Sequence, residues 1–492
     1  MSTNSAVGRF FRHSAIYALG NAMNRLGAFL LLPLYTRYLT VAEYGGLELF
    51  YAVSAVVSSL LSVGIAHATL RFYFEYDADE DRRAVVSTNL IASLVICGLG
   101  VAVVGLAAGP VMNLLMDGQL SALGLQLVLV TLVLELSSQV GLAYLRAVEK
   151  SVFFIAVSFA KLVVQCIANA VLLWKFHAGV EGVLTGNLLA VALGWLVVCG
   201  YTVRHCGLRF QREKLMPVLR YSLPFLYVSI IAAVSSNLDR FAVNRLLSLE
   251  ALGVYALALK FSKLISDLLG EPFSRAYGAF RFSVMKRDDA PVIQANVMRY
   301  MAAALAAISL ALVYFIGDVL HWMATPAYAP AAGLMPLLVV AASLQVLNYL
   351  LQTGILVNKS TQQLVTITII RSAAVLAMLF PLVWAFGLQG ACVVALLDAV
   401  LTVVLTHRIS QRYFAVQYDV GRLWLLAGLL VVFYVPIWWI PAGSWVGLAL
   451  KLALWAGFVV AAYQTQLVAD EKRVLAGGLR SLLTGRRAER LQ

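Results

Sequence analysis

The chain alternates long apolar runs with short polar gaps, and its Lys and Arg residues collect in every second gap. Counting from the N-terminus, the odd gaps are poor in basic residues: Thr36 to Ala42, Pro110 to Gln119, Lys175 to Glu181 and Gly317 to Pro330. The even gaps carry Arg71, Arg82 and Arg83; Arg146 and Lys150; Arg204, Arg209, Arg212 and Lys214; Arg275, Arg281, Lys286 and Arg287; and Arg408, Arg412 and Arg422. A helix crosses the hydrocarbon with about 20 apolar residues, and Lys and Arg near span ends stay on the cytoplasmic side. The pattern predicts an all-α integral membrane protein with about 14 transmembrane helices and both termini cytoplasmic. Composition agrees: 62% of the 492 residues are hydrophobic and 12% are charged, against about a quarter charged in soluble domains. The net charge of +13 is spread over the even gaps and the tail, so topology explains it and nucleic acid is not an expected partner. The five cysteines form no CxxC pair, and neither a metal site nor a cofactor is expected. The first apolar run, from Ser14, is too long for a signal peptide and lacks a small-residue cleavage site, so it reads as a retained span.

An internal repeat organises these spans. Arg37-Tyr-Leu-Thr-Val-Ala-Glu-Tyr-Gly45 aligns with Arg245-Leu-Leu-Ser-Leu-Glu-Ala-Leu-Gly253 in its Arg, Leu, hydroxyl and Gly positions. Phe72-Tyr-Phe74 with Phe280-Arg-Phe282, and Gly179-Val-Glu-Gly182 with Gly387-Leu-Gln-Gly390, continue at the same offset. Lys150-Ser151 and Lys359-Ser360 match with a one-residue slip. The chain therefore divides into an N-terminal six-helix bundle (1–215), a C-terminal six-helix bundle (216–415), and two extra helices with a basic cytoplasmic tail (416–492). An even number of helices per copy inserts both copies in the same direction. Duplicated bundles facing each other across a cleft are the architecture of alternating-access transporters.

Charges deep in a span are costly and face a bundle interior or a water-filled cavity. Asn21, Asn24 and Arg25 share one face of span 1 (14–35), by their spacing of three and four. Lys161, Gln165 and Asn169 form a stripe on span 5 (152–174). Arg240, with Asp239 beside it, lies on span 7 (218–243) in line with Ser236 and Asn244. Span 8 (250–274) presents Lys260, Lys263, Asp267 and Glu271. Span 10 (331–357) adds Gln345 and Asn348, and span 11 (363–386) adds Arg371. Glu48 lies above Tyr51, Ser54, Ser58 and Ser62 on span 2 (45–67). Glu135 lies with Ser138 and Gln139 on span 4 (120–145), and Asp398 on span 12 (389–407). Each has a plainer reading: Glu48, Asp239 and Arg240 near a boundary can snorkel, and Lys263 with Asp267 can be a structural ion pair. Arg25, Lys161 and Arg371 have no opposite charge at helical spacing and call for an anion from elsewhere. A cavity lined by Arg and Lys suits phosphate, through a bidentate fork or a point charge, and amides and hydroxyls suit a sugar. Glu48, Glu135 and Asp398 are the candidates for a coupling ion or proton.

Leu32-Pro-Leu-Tyr-Thr-Arg-Tyr-Leu-Thr-Val-Ala-Glu-Tyr-Gly45, and Asn237-Leu-Asp-Arg-Phe-Ala-Val-Asn-Arg245 followed by Leu252-Gly-Val-Tyr255, resemble the signatures of Wzx-like polysaccharide-biosynthesis flippases. These belong to the multidrug/oligosaccharidyl-lipid/polysaccharide exporter (MOP) superfamily. The resemblance implies a MATE-like V-shaped fold and a location in the bacterial inner membrane. It implies flipping of undecaprenyl-diphosphate-linked oligosaccharide from the cytoplasmic to the periplasmic leaflet, and so a transporter rather than an enzyme. Membrane lipids, a polysaccharide polymerase and the chain-length machinery follow as partners. It also implies that Arg25, in the place of a flippase arginine of helix 1, contacts the diphosphate. Span 1 has no acid, unlike the first bundle of sodium-coupled drug exporters. Three alternatives share parts of the pattern: a lipid II flippase, a multidrug antiporter of the same fold, and a membrane polysaccharide polymerase or ligase. The cationic lining speaks against a drug antiporter, and the short outer gaps speak against the polymerase or ligase.

Overall fold

In the computed structural model the described residues are 27, 29–62, 64–106, 121–360, 362–440 and 442–466. Asn21, Asn24 and Arg25, the gap from Pro110 to Gln119, and the basic tail lie outside them. The helices are α1 (Leu32–Tyr38), α2 (Val41–Leu61), α3 (Ile65–Glu75), α4 (Asp79–Leu106), α5 (Ala122–Ala147), α6 (Ser151–Trp174), α7 (Gly179–Cys206), α8 (Arg212–Leu246) and α9 (Leu249–Ile265). After a π turn at Ser266–Gly270 come α10 (Glu271–Val284), α11 (Ala290–Met323), α12 (Ala331–Leu351), α13 (Thr353–Val357), α14 (Gln362–Gln411), α15 (Val420–Tyr434) and α16 (Trp445–Gln466). Among the described residues, ten helical segments are long and apolar enough to cross a membrane. One of them, α14, has a left-handed residue at Gly387 (φ 59°, ψ −136°), where the expected spans 11 and 12 divide. α8 and the α9–α10 pair supply the expected spans 7 and 8, the second carrying Lys260, Lys263, Asp267 and Glu271. The protein is a multi-pass membrane protein.

The repeat reappears as matched local structure. Thr40 caps α2: its hydroxyl accepts from Glu43 N (3.2 Å), and the Glu43 carboxylate accepts from Thr40 N (2.8 Å). Its counterpart Ser248 accepts from Ala251 N at 3.0 Å at the start of α9. Gly179 and Gly387 both hold a left-handed backbone, φ 54° and φ 59°, a conformation glycine adopts without steric cost. The first turns of α2 and α9 meet reciprocally. A Cβ on Gly45 would overlap the Leu249 carbonyl, and one on Gly253 would overlap the Val41 carbonyl. The two contacts exchange equivalent positions of the two copies, which is local two-fold symmetry. Small residues permit this close approach in a membrane, where apolar burial does not drive helices together.

The chain gathers into two compact units. The first comprises Met1–Leu257, Met323–Ala331 and Thr368–Val394; the second comprises Ala258–Trp322, Ala332–Ile367 and Ala395–Gln492. In the first, α3, α4, α5, α7 and α8 pack around Ile65, Phe72, Val85, Leu90, Val140 and Val218. The even gaps converge at one end of this unit. Arg209 pairs with Glu80 (2.6 Å) and Lys214 with Asp81 (2.7 Å), and Tyr73, Tyr144, Tyr201 and Phe153 form a chain of ring contacts. At the other end two odd gaps meet, where Gly179 lies against the Glu43 carboxylate. In the second unit, α11, α15 and α16 pack around Leu310, Tyr314, Leu426 and Phe458. There Lys451 Nζ contacts Asp318 at 2.6 Å, with both side chains 2% exposed. The second Asp318 oxygen accepts from Gly443 N at 2.7 Å, and Gly443 is left-handed (φ 79°).

Candidate functional site

The first unit encloses a polar cavity with two lobes. The larger, about 480 Å³, is bounded by Tyr51, Ser54 and Ser58 of α2, His67 of α3, Ser93 of α4, and Glu135, Gln139 and Arg146 of α5. The smaller, about 200 Å³, lies between Glu135, Ser138, Gln139 and Arg146 of α5, Ser158 and Lys161 of α6, and Gly194 and Val198 of α7. Glu135, Gln139 and Arg146 border both. They share a face because 4 and 11 residues are each close to whole turns of a helix with about 3.6 residues per turn. Glu135 and Lys161 sit near the middle of their helices, far from either end.

The geometry around Lys161 follows from small residues on α7. Lys161 lies against Gly194, and Asn169 lies against Gly186, with a Cβ at either glycine overlapping the side chain. The stripe predicted on span 5 therefore runs along an antiparallel groove of α7. Gln165 donates to the Asn187 side-chain Oδ1, Asn187 donates to the Tyr51 hydroxyl at 2.9 Å, and Asn169 donates to the Tyr35 hydroxyl at 2.7 Å. Asn169 is fully buried, and its Oδ1 has no hydrogen-bond partner among the described residues. Of the three stripe residues, Lys161 alone borders the cavity.

The other expected site residues fall into separate groups. Arg240 is 8% exposed and its Nη1 lies 3.5 Å from Asp239 and 3.3 Å from the Asn237 side chain. Tyr255 donates to the second Asp239 oxygen at 3.0 Å. Glu48, 7% exposed, is an electrostatic neighbour of Arg240 and Tyr44. The span 2 hydroxyls line the cavity, whereas Glu48 belongs to this buried cluster. Arg371, for which an anion was expected from elsewhere than its own helix, is engaged by a neighbour, as are Lys260, Lys263, Asp267 and Asp398. The π turn Ser266–Gly270 interrupts the span 8 face. Its extra residue rotates the helix beyond it by about 100° from the α-helical register, and Glu271 pairs with Arg275 at 3.1 Å. Gln345 is exposed, while Asn348 is buried with its Oδ1 unpartnered among the described residues. Thr402 donates to the Asp398 carbonyl at 2.7 Å. His67 and Arg146 border the cavity without having been expected there. The spacing of Arg146 from Glu135 was a usable signal; for His67 there was none. Among the described residues no group of three His, Cys, Asp or Glu side chains could hold a metal ion.

The same helical architecture occurs in known structures. The chain aligns with a structure titled lipid II flippase MurJ in an inward closed conformation, with TM-score 0.66, 11% identity, and coverage of 92% of this chain and 99% of that one. It also aligns with an inward-facing multidrug resistance MATE family transporter of the MOP superfamily, with TM-score 0.61, 15% identity, and coverage of 79% and 95%. The chain shares the fold of these two structures. Residues 34–316 match the family described as polysaccharide biosynthesis protein, more than half of the chain, and the protein belongs to that family. A protein of the Lsg locus of Haemophilus influenzae is 22% identical over 393 residues, covering 76% of this chain and 92% of that protein.

Proposed function

We propose that the protein is a flippase for lipid-linked oligosaccharide. Its substrate is an undecaprenyl-diphosphate-linked glycan, moved by alternating access from the cytoplasmic to the periplasmic leaflet of the bacterial inner membrane, for surface polysaccharide assembly. The observation that carries this reading is the polar cavity at mid-helix depth in a member of the polysaccharide biosynthesis family. An apolar drug needs no such lining. A glycan headgroup needs hydroxyls, amides and cations, and Ser54, Ser58, Gln139, Arg146 and Lys161 supply all three. Lys161 makes no hydrogen bond or ion pair among the described residues, so a substrate phosphate or acidic sugar would relieve an unpaired cation in a low-dielectric setting. Arg25, Arg240, Lys260, Arg371 and the amides of spans 1 and 10 complete the proposed path. Glu135, facing the same cavity, is the proposed proton or cation site. The end at which the basic gaps converge is cytoplasmic by the positive-inside rule, and residues 1–215 and 216–415 are the bodies that rock.

The test uses proteoliposomes loaded symmetrically with an undecaprenyl-diphosphate-linked glycan and an added glycosidase that cannot cross the bilayer. Flipping lets the enzyme consume both leaflets, whereas an inactive protein leaves about half the glycan protected. Persistence of that protected half with correctly inserted protein, with and without an imposed ion gradient, would refute the reading. The coverage of the MurJ alignment favours one second reading, lipid II transport. Rescue of cells depleted of their own lipid II flippase would establish it.

A further inference from the structure

The second unit holds a cavity of a different character. It occupies about 660 Å³ between α11, α12, the end of α14, and α15. Its walls are apolar side chains such as Ala302, Ala306, Leu337 and Leu426. The two serines on them, Ser309 and Ser343, hydrogen-bond to each other at 2.8 Å. A glycan or hydrated ion would leave its polar groups unpaired there; a hydrocarbon chain would not. Its polar side chains concentrate where His407, Arg408 and Tyr418 meet, with the His407 and Tyr418 rings 5.6 Å apart.

That end carries unsatisfied positive charge. Arg408 is exposed and makes no hydrogen bond or ion pair among the described residues. Arg281 is 7% exposed, and its Nε and Nη1 have no hydrogen-bond partner among the described residues. Its guanidinium lies 5.1 Å from the centroid of the Tyr277 ring, and Tyr277 is an electrostatic neighbour of Tyr418. The acid next in sequence, Asp419, is already paired with Arg422 at 3.0 Å. A buried guanidinium with idle donors is costly, and phosphate is the anion its planar fork matches best.

We propose that this unit binds one anionic membrane phospholipid, with an acyl chain in the cavity and the phosphate held at Arg408, backed by Arg281. α15 supplies one wall over 15 residues, about 22 Å at 1.5 Å per residue. One leaflet of a hydrocarbon core about 30 Å thick is shorter than that, so the wall takes the whole chain. An anionic lipid is preferred over a zwitterionic one because Asp419, the acid nearest the mouth in sequence, is already paired. The site lies in one unit and the glycan cavity in the other, so it stands whether or not the transport reading does.

Native mass spectrometry of the full-length protein in mild detergent tests it, with phosphatidylglycerol and phosphatidylethanolamine of identical chains as probes. The wild type should bind the first phosphatidylglycerol about tenfold more tightly than phosphatidylethanolamine, whose ammonium cancels the phosphate charge that Arg408 and Arg281 attract and meets an Asp419 already paired. Arg408→Ala should abolish that preference and Arg408→Lys should keep part of it. Ala306→Phe should block the chain while leaving Arg408 in place. Its retention time on size exclusion reports whether it folds, and Ala302→Leu gives a milder block. Equal binding of the two lipids by the wild type, or undiminished phosphatidylglycerol binding in Arg408→Ala, would overturn the proposal. So would undiminished binding in both blocking variants, or recovery of polyprenyl phosphate instead of phospholipid from the purified protein.

Discussion

Replacing Lys451 by Met removes one member of an ion pair from which water is excluded. Lys451 and Asp318 are each 2% exposed and 2.6 Å apart. Without the ammonium, the Asp318 carboxylate keeps only the Gly443 amide among the described residues. Removing one partner of such a pair costs about 3–5 kcal/mol, while replacing both by neutral groups of similar volume is close to neutral. Lys451→Met should therefore be destabilised by several kcal/mol, and the double variant Lys451→Met/Asp318→Asn by less than about 1 kcal/mol. The carboxamide that Asp318→Asn introduces would still accept from Gly443 N, and Met would fill the channel of the Lys stem. Thermal unfolding in detergent, followed by the monodisperse peak on fluorescence-detected size exclusion, measures both variants and Asp318→Asn alone. The double-mutant cycle isolates the charge coupling from the packing. If the double variant falls as far as Lys451→Met, the lost stability belongs to packing around α16, and the reasoning from charge is wrong.

Gly45→Ala should lower the yield of folded protein sharply, because its new methyl meets the Leu249 carbonyl, whereas Gly98→Ala, with nothing within 4 Å, should express normally. Thr40→Ala should cost about 1 kcal/mol through the lost cap of α2, measured by the same thermal assay. Lys161→Met should insert at normal levels and fail in the glycosidase-protection assay, with Lys161→Arg partly active; full transport by Lys161→Met would remove it from the substrate path. Cysteines at His177 and Lys286 should label from opposite sides of intact cells, and labelling of Lys286→Cys by an impermeant reagent from outside would invert the proposed topology.

Much of the architecture was legible because membrane chemistry is written in composition. Gly179 and Gly387, Thr40 and Ser248, and Gly45 and Gly253 matched at one sequence offset, and the structure gives the pairs matching roles as turn, cap and close approach. Turns and caps are local demands that a few residue types satisfy; the close approach joins distant helices, and the alignment alone did not show it. The π turn at Ser266–Gly270 was not legible, since no residue type marks it, and it disrupts the face read through Lys260, Lys263, Asp267 and Glu271. Periodicity identified the face formed by Lys161, Gln165 and Asn169. It could not say that Gly186 and Gly194 would let α7 lie against it, turning two of its three members into helix-to-helix links. Asp318 and Lys451 are 133 residues apart in sequence, so no spacing rule could join them.

The reciprocal seating of Gly45 and Gly253 has a consequence for how such a chain can vary. In a dimer of two identical halves, one change in the gene alters both sides of the two-fold contact together, and a bulkier residue on each side could be accommodated by a single shift of the helices. Fused into one chain, the two positions vary separately. Any route away from the paired glycines passes first through a lopsided molecule, with one side chain pressing on a carbonyl and the opposite seat still empty. Fusion thus turns a symmetric freedom into two independent prohibitions on the crossing of α2 and α9.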